Sequence, residues 1–297
     1  MRLMSYNHIC PKHIWIIHFD FSYLSKLNVN TEMSRKLYVI KIGGNVIDDP
    51  IALQKFLIDF SSIKEKKILI HGGGKIATGL AKKFGVSQEI VNGRRITNEE
   101  TLKVITMVYA GLINKNIVAQ LQGNNCNAIG LTGADANMIP AKKRPADEIN
   151  YGFVGDVDYL NINTRQLEMF LNNELVPVFA PITHDKLGQL LNTNADTIAS
   201  ALAMALAKSF EVSLIYCFEK KGVLKNMEDD NSVIPVISKS EYKKLIADGF
   251  ISKGMIPKTD TGFDAISKGV ETVIIGHSAE IIQNLNSNQH AGTKLVG

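Results

Sequence analysis

The fold is decided by the stretch LYVIKIGG at residues 37–44 and by its counterpart KILIHGGG at residues 67–74. Each is a short apolar run that ends in glycines, and each is followed by a helical pattern. The first helix is predicted over residues 50–64 and the second over residues 75–84, with Gly85 at its C-terminal cap. This alternation of strand, glycine turn and helix is typical of a parallel sheet with helices on its faces. The sequence therefore predicts an α/β protein.

The same alternation continues along the rest of the chain. Thr97 is predicted to cap a helix over residues 98–122, with Glu100 completing a capping box. Asn194 is predicted to cap an alanine-rich helix that runs to Lys208. Further strands are predicted at residues 128–131, 175–179, 211–218 and 272–275, and a hairpin arm at residues 151–155.

The composition is that of an ordinary globular protein. The 297 residues are 45% hydrophobic, and 33 basic against 29 acidic side chains give a net charge of +4. This excess is too small to indicate nucleic-acid binding, and no apolar run in the sequence is long enough to predict a membrane span. An odd, sparse set of three cysteines indicates no disulfide framework and favours a reducing, cytoplasmic location.

The N-terminal residues do not follow the strand and helix pattern. Residues 1–32 show poor helical periodicity, and their apolar stretch at residues 14–17 is too short for the core of a signal peptide. We therefore interpret residues 1–35 as a dispensable leader before the folded domain. An N-terminal helix used for oligomerisation is the alternative.

The two glycine clusters predict a site for an anion. In an open parallel sheet, ligands bind beyond the carboxyl ends of the strands, where glycines let backbone N–H groups approach a phosphate or a carboxylate. Gly43 and Gly44 end the first strand, and the triple glycine at residues 72–74 ends the second. Neither cluster has the P-loop pattern GxxxxGK[ST] or a full GxGxxG, so the residues do not predict a P-loop or a dinucleotide site.

Several charged residues stand where they could meet that anion. Lys41 lies at the end of a buried strand, a costly place for a lysine without a negative partner. Lys258 follows a turn and is predicted to precede a helix, while Asp196 is predicted in the first turn after Asn194. Each also has a purely structural explanation: a lysine that reaches solvent, or an acidic residue at a helix N-terminus.

A second polar group is suited to a carboxylate. Arg95 follows Arg94 in a turn, and arginine binds carboxylates with two parallel hydrogen bonds, although a solvated pair of charges is an equal alternative. Asn192 is a candidate hydrogen-bond donor to a substrate carboxylate. No histidine is assigned a catalytic role.

Taken together, these motifs resemble the amino acid kinase family, and within it the members whose acceptor is N-acetyl-L-glutamate. The resemblance covers about residues 36–297, and its motifs in order are specific. They are KIGG at residues 41–44, HGGG at 71–74, NGRRIT at 92–97, LNTNAD at 191–196 and GMIPK at 254–258.

The resemblance implies a three-layer αβα sandwich with a mostly parallel central sheet. An N-lobe of about residues 36–185 would bind the acyl-glutamate, and a C-lobe of about residues 186–297 would bind ATP. Lys41 and Lys258 match the two lysines that stabilise the transition state, and Asp196 matches the carboxylate that orients them. The substrate contacts match Gly73, Gly74, Arg95 and Asn192. The nucleotide contacts match Gly43, Gly44, Glu219, Lys220, Lys221, Gly222, Val223, Leu224, Phe250, Ile251 and Ser252.

The implied reaction is transfer of a phosphoryl group from ATP, with Mg²⁺ bound through the phosphates, to the γ-carboxylate of N-acetyl-L-glutamate in arginine biosynthesis. A cytoplasmic homodimer is expected. The chain departs from its relatives at residues 218–223, where an aspartate and a small polar residue are more usual, and at Arg94, an additional cation. Three alternatives stay open: an N-succinyl-L-glutamate acceptor, to which Lys142 or Lys143 would contribute charge, a different acceptor, and a non-catalytic sensor of arginine or acyl-glutamate.

Overall fold

The computed structural model describes residues 35–226, 228–251, 255–285 and 291–297. The predicted leader, except for Arg35, and the predicted nucleotide contact Ser252 lie outside these ranges. The described residues form one eight-stranded sheet in which six neighbouring strands are parallel and β14 and β12 run the opposite way at one edge. In order across the sheet, the strands are β12 (Val236–Ser238), β14 (Thr293–Val296), β13 (Thr272–His277), β11 (Glu211–Phe218), β1 (Lys36–Ile42), β2 (Lys66–His71), β8 (Val176–Phe179) and β5 (Ala128–Leu131).

Side chains alternate across this sheet and so build a core on each face. In β1, Leu37 and Val39 belong to one buried cluster, while Ile40 and Ile42 belong to the other. Helices cover both faces, so the three-layer αβα architecture predicted from the sequence is confirmed. The first face carries α6 (Thr164–Asn172), α7 (Ala195–Leu206), α8 (Lys239–Ala247) and α9 (Ile256–Ser267). The second carries α1 (Gly44–Asp48), α2 (Pro50–Ser62), α3 (Gly74–Lys83), α4 (Glu99–Thr106), α5 (Asn114–Gly123) and α10 (Ile281–Leu285).

Three short antiparallel ribbons of the described chain lie near the carboxyl ends of the parallel strands. They pair β3 (Glu89–Val91) with β4 (Arg94–Ile96), β6 (Ala141–Lys143) with β7 (Gly155–Val157), and β9 (Ile182–His184) with β10 (Leu190–Asn192).

The residues Ser34–Gly297 make one compact unit. The lobe boundary expected near residue 185 does not interrupt the sheet, because β1 of the predicted N-lobe and β11 of the predicted C-lobe are hydrogen-bonded neighbours. That boundary stays a prediction.

One continuous helical stretch, Glu99–Gly123, contains a π-helical segment at Met107–Ile113 between α4 and α5. By length and composition alone this is the one stretch of the described chain that passes as a membrane span. Its apolar side, however, packs in the core of the second face, where Ile105, Ile117 and Leu121 are fully buried. We therefore interpret it as a core helix.

The predicted start of this helix is wrong by one residue. Asn98, and not Thr97, is the N-cap, because its side chain accepts a hydrogen bond from the N–H of Thr101 at 2.8 Å. The Thr97 hydroxyl is turned away and donates to the carbonyl of Arg95 at 3.1 Å. The predicted capping box with Glu100 is therefore absent.

Most other predicted elements are confirmed. The strands at residues 128–131, 211–218 and 272–275 are present, and Asn194 caps α7 by accepting from the N–H groups of Asp196 and Thr197. Gly85 follows α3 with a φ of +72°, as a C-terminal glycine should. The predicted hairpin arm is confirmed only at its end, since β7 begins at Gly155.

Candidate active site

The glycine turns lie side by side at the carboxyl ends of β1 and β2. The N–H of Gly72 donates to the carbonyl of Ile42 at 3.2 Å, which ties the second turn to the first. Gly73 has a φ of +138°, and a Cβ atom at this position would lie 2.2 Å from Cδ1 of Ile113. Glycine is therefore required here both by the backbone conformation and by the packing of the π-helical segment.

Lys41 and Asp196 form an ion pair beside these turns. Lys41 follows Leu37 and Val39 on the first face of β1, so its side chain points to α7, and it is 7% exposed. Its Nζ lies 2.6 Å from Oδ1 of Asp196, although this contact lacks the alignment of a hydrogen bond. The cap at Asn194 fixes the first turn of α7 and so fixes the position of the carboxylate.

Lys258 approaches the same carboxylate from α9. It lies in the first turn of this helix, so the prediction that it precedes a helix is wrong, because α9 already begins at Ile256. Burial lowers the pKa of Lys258, the negative charges of Asp196 and Glu219 raise it, and the ammonium of Lys41 lowers it. Lys41, Lys258 and the carboxylate of Asp196 thus lie close together, and Glu219 adds a second negative charge near Lys258.

A cavity of about 700 Å³ opens on one side of this cluster and is lined by Lys41 and Asp196. The four predicted substrate contacts Gly73, Gly74, Arg95 and Asn192 also line it. We call it the acceptor cavity. Its mixed polar groups and its size suit a small anionic molecule.

Arg95 is held firmly at the wall of the acceptor cavity. It is only 9% exposed, and its Nη2 donates to the carbonyl of Gly74 at 3.0 Å and to Oγ1 of Thr78 at 2.9 Å. Nη1 donates to Oε1 of Gln88. On the other wall, Nδ2 of Asn192 donates to Oγ1 of Thr97 at 2.9 Å. Because these side chains are oriented before any ligand arrives, little ordering entropy is lost on binding.

A second cavity of about 370 Å³, here called the nucleotide cavity, meets the first at Gly44, which lines both. Lys258 lines this cavity. The predicted nucleotide contacts that also line it are Gly44, Glu219, Lys220, Gly222, Val223, Leu224 and Phe250.

Three predicted nucleotide contacts lie elsewhere in the described structure. Ile251 is 5% exposed and packs in the core cluster of the first face. Lys221 is exposed outside the lining of either cavity, and Gly43 lies beneath the first glycine turn near the carbonyl of Cys217. Their proposed contact with nucleotide stays a prediction.

The structure adds residues that the sequence did not single out. Phe218 ends β11 inside the nucleotide cavity, and Asn45 and Lys75 link the two cavities. Nδ2 of Asn45 donates to Oε2 of Glu219, and Nζ of Lys75 donates to Oδ1 of Asn45. Asn45 and Lys75 each stand one residue beyond a glycine turn, a position that would have indicated them. For Phe218 the available signal was the departure from the family pattern at the end of β11.

His71 is close to the glycine turns but has no free nitrogen. It is fully buried, and burial lowers its pKa to about 4, so the ring is neutral at physiological pH. Nδ1 donates to the carbonyl of Gly72 at 2.9 Å, and Nε2 accepts from Nδ2 of Asn114 at 3.2 Å. The ring therefore supports the second glycine turn and is not placed to move a proton.

Metal ligands are not clustered at this site. Within the residues that the structure describes, no group of three or more histidine, cysteine, aspartate or glutamate side chains is placed to hold a metal ion. Asp48, Asp196 and Glu219 supply the nearby carboxylates, and both oxygens of Asp48 are buried without a hydrogen-bond partner. Separate carboxylates of this kind fit a cation that brings most of its oxygen ligands with it, as Mg²⁺ does when it is bound to phosphates.

Comparison with known proteins agrees with this arrangement. An acetylglutamate kinase from Cytophaga hutchinsonii is 56% identical over 263 residues, which is 88% of this chain and 99% of the relative. The acetylglutamate kinase from Phocaeicola vulgatus is 52% identical over 261 residues, with 88% and 98% covered.

Solved structures share the fold. The crystal structure of smu.665 from Streptococcus mutans gives a TM-score of 0.69 at 28% identity and covers 88% of this chain and 98% of that one. An N-acetylglutamate synthase from Neisseria gonorrhoeae, complexed with coenzyme A and N-acetyl-glutamate, gives 0.75 at 21% identity, with 90% and 60% covered, and shows the fold alone. The sequence profile of the amino acid kinase family matches residues 36–277, and this chain belongs to that family.

Proposed function

We propose that this protein transfers the γ-phosphoryl group of ATP to the γ-carboxylate of N-acetyl-L-glutamate. The product would be N-acetyl-L-glutamyl 5-phosphate, formed in the second step of arginine biosynthesis. The observation that carries the proposal is the meeting of two cavities at Gly44, with Lys41, Asp196 and Lys258 at the junction. The acetylglutamate kinases that match almost the full length of the folded unit support the same acceptor.

The acceptor needs no general base. A glutamate side chain in water has a pKa of about 4.3, so its carboxylate is already the nucleophile at neutral pH. This agrees with the environment of His71, whose pKa of about 4 and two hydrogen bonds exclude it as a base. The protein then has to hold two anions in line and to compensate the charge that develops between them.

The lysine pair is organised for that task. Lys41 and Lys258 lower the cost of bringing a carboxylate next to a triphosphate, and Asp196 keeps the two ammonium groups near each other before the anions arrive. N–H groups at the glycine turns would contact the transferred group. Mg²⁺ held by the ATP phosphates would neutralise further negative charge.

Each substrate has a cavity of its own in this proposal. The acyl-glutamate would occupy the acceptor cavity, with its α-carboxylate near Arg95 or Asn192, and ATP would occupy the nucleotide cavity. The predicted N-lobe supplies most of the lining of the acceptor cavity and the predicted C-lobe most of the lining of the nucleotide cavity, although residues 192–196 also line the first and residues 44–46 the second. We further propose a cytoplasmic homodimer, and light scattering after size-exclusion chromatography tests that stoichiometry.

The first experiment is a coupled ADP-release assay with Mg-ATP that compares N-acetyl-L-glutamate, N-succinyl-L-glutamate and free L-glutamate. Turnover with N-acetyl-L-glutamate and none with free glutamate is the expected result. A folded protein that binds ATP and the acyl-glutamate without turnover would instead be a sensor, and turnover with none of the three acceptors would overturn the proposal.

The N-succinyl acceptor is a second candidate because of Arg94. This guanidinium lines the acceptor cavity, and burial together with the neighbouring Arg144 lowers its pKa. Arg144 is itself paired with Asp156, and Arg94, not Arg144, lines the cavity. Lys142 and Lys143, also expected to contribute charge, are exposed and do not line it. An Arg94→Leu variant that loses activity with the succinyl substrate alone would support this candidate.

A further inference from the structure

Phe218 lies where the two candidate lysines meet. It is the last residue of β11, and its ring lines the nucleotide cavity. Nζ of Lys258 lies 4.1 Å from the ring centroid, and Nζ of Lys41 lies 5.3 Å from it. Both distances are within the range in which an ammonium group is attracted to the face of an aromatic ring. One ring therefore contacts both cations of the proposed phosphoryl transfer.

We propose that Phe218 is a positioning residue that holds Lys41 and Lys258 at the junction of the two cavities until the phosphates of the nucleotide arrive. This inference rests on the proposed function, because it assigns the two lysines to the transferred phosphoryl group.

The charge balance explains why an aromatic ring serves here. Lys41 lies 2.6 Å from the carboxylate of Asp196, whereas Lys258 has no carboxylate of the described residues within ion-pair distance and is affected by Asp196 and Glu219 only from farther away. A carboxylate in direct contact with Lys258 would also repel the incoming triphosphate. The negative face of an aromatic ring attracts the ammonium groups and carries no net charge, so it stabilises the lysines without opposing ATP.

The ring is itself held in place by the neighbouring strand residue on the same face. Tyr216 and Phe218 are two residues apart on β11, and their ring centroids lie 6.3 Å apart with the planes inclined by 24°. Tyr216 is fully buried, and its hydroxyl donates to the backbone carbonyl of Asp196 at 3.4 Å. The ring is thus linked to the turn of α7 that carries the carboxylate.

The groups that face Lys258 come from each element packed around it. Asp196 belongs to α7, Lys41 to β1, and Glu219 follows β11. Asp196 and Glu219 favour the charged lysine, while burial and Lys41 oppose it. Removing the ring would leave these charges unchanged and take away one favourable contact. The charged form of Lys258 would then be less stable, and its Nζ less firmly placed.

The test compares Phe218→Leu, which removes the ring, with Phe218→Tyr, which keeps it. We expect kcat to fall about tenfold in Phe218→Leu, since two cation–π contacts of modest strength are lost, and to stay within about twofold in Phe218→Tyr. The fall of kcat at high pH should begin at lower pH in Phe218→Leu. Should that variant not fold, Phe218→Met supplies a second side chain without a ring.

Phe250→Leu is the matched control, because Phe250 also lines the nucleotide cavity and none of the described lysines lies over its ring. Its loss should raise KM for ATP and leave the pH profile of kcat unchanged. If Phe218→Leu behaves in the same way as Phe250→Leu, Phe218 only packs against the nucleotide and the inference is overturned.

A measurement without turnover separates this inference from the proposed function. Reductive methylation with ¹³C-formaldehyde keeps lysines cationic, and the dimethyl-lysine signal of Lys258, assigned with Lys258→Met, reports its pKa by NMR. We expect a lower pKa in Phe218→Leu than in the native protein and in Phe218→Tyr. An unchanged pKa overturns the positioning role, whatever acceptor the enzyme uses, whereas native protein inactive with every acyl-glutamate would refute the proposed function alone.

Discussion

Two buried lysines on neighbouring strands of the same sheet have different surroundings. Lys67, at the amino end of β2, is 5% exposed, and Lys41, at the carboxyl end of β1, is 7% exposed. Nζ of Lys67 donates to three carbonyls at the end of α2, those of Phe60, Ser61 and Ile63, at 2.8, 3.1 and 2.7 Å. Lys41 meets one carboxylate oxygen and one ring.

This difference shows that burial of a charge alone does not mark a functional site. An ammonium group has three N–H donors. At Lys67 all three are used, so the group completes a helix C-terminus and has none left for a ligand. At Lys41 the donors are not saturated by the described residues, and a cavity opens beside them. The incomplete coordination identifies the residue available for an anion.

Among the variants that test this comparison, we expect the largest effect from loss of the Lys41 ammonium group, and we expect it in kcat. Lys41→Met keeps the apolar stem and removes the ammonium group, so kcat should fall about 10²–10³-fold, as when one transition-state donor is lost elsewhere. KM for the acyl-glutamate should change far less. Steady-state kinetics with purified protein checks this, and a kcat near the native value would refute the catalytic assignment.

The next largest effect concerns His71, which lies at the carboxyl end of β2 and has both ring nitrogens hydrogen-bonded. Its folded pKa of about 4 lies below the ordinary histidine value of 6.5, so the unfolded chain binds the proton more tightly between these values. Stability should therefore be complete above pH 6.5 and fall as the pH drops toward 4, by about 3 kcal/mol in all. Urea unfolding at several pH values measures it. His71→Gln should show a flatter dependence, and an equally steep one would assign the loss to other groups.

Lys67→Met is the counterpart of Lys41→Met at the amino ends of the parallel strands. It leaves three helix-end carbonyls without their donor, and we expect it to lower the free energy of unfolding by about 2 kcal/mol. The value of kcat should stay near native, because the site lies at the opposite, carboxyl ends of the strands. Chemical denaturation and the ADP-release assay on the same sample decide this. Full stability together with lost turnover would mean that Lys67 has a functional role and not a structural one.

The smallest expected effect is a movement of the pH profile. Lys258 must be protonated to stabilise the transferred group, so kcat should fall as the pH rises through its lowered pKa. Asp196→Asn removes a charge that raises this pKa. The fall should therefore begin at lower pH, with kcat at neutral pH reduced about tenfold. An unshifted profile would mean that a group other than Lys258 causes the fall of kcat at high pH.

The same lowered pKa has the opposite consequence for stability. The unfolded chain holds the proton of Lys258 more tightly than the folded chain, so the native state gains stability as the pH rises from the lowered pKa toward 10.5. Activity and stability should thus move in opposite directions in this range. Parallel measurements of kcat and of the unfolding midpoint test the difference.

Much of the fold was available from local sequence patterns. Glycines after apolar runs marked the carboxyl ends of β1 and β2, and a lysine at such an end marked Lys41, because both signals come from residues adjacent in the chain. The cap at Asn194 was predicted for the same reason. Thr97 was wrongly predicted as the N-cap of α4 in place of its neighbour Asn98. Threonine and asparagine are both good caps, and only the tertiary contacts of Thr97 distinguish them.

The parts of the site that the sequence did not reveal depend on distant residues. Phe218 begins a segment that departs from the family pattern, but the sequence does not show that α9 brings Lys258 to its ring. Ile251 stands beside Phe250 in the sequence, yet one is in the core and the other lines the nucleotide cavity. No local pattern separates them, because the packing of the first face decides which side chain turns inward.

The π-helical segment Met107–Ile113 has a consequence for how this chain tolerates insertions and deletions. A turn with i→i+5 bonding holds about one residue more than an α-helical turn. Losing one residue inside this segment would give a regular α-helix and leave α4 and α5 in nearly the same orientation, whereas losing one residue from α4 would rotate the rest of the helix by about 100°. After a deletion in α4, Ile113 would leave Gly73, and Asn114 would leave His71. The length of α4 is therefore fixed by the glycine turn that the helix supports, and a single-codon deletion in α4 should disrupt the acceptor cavity while the sheet stays intact.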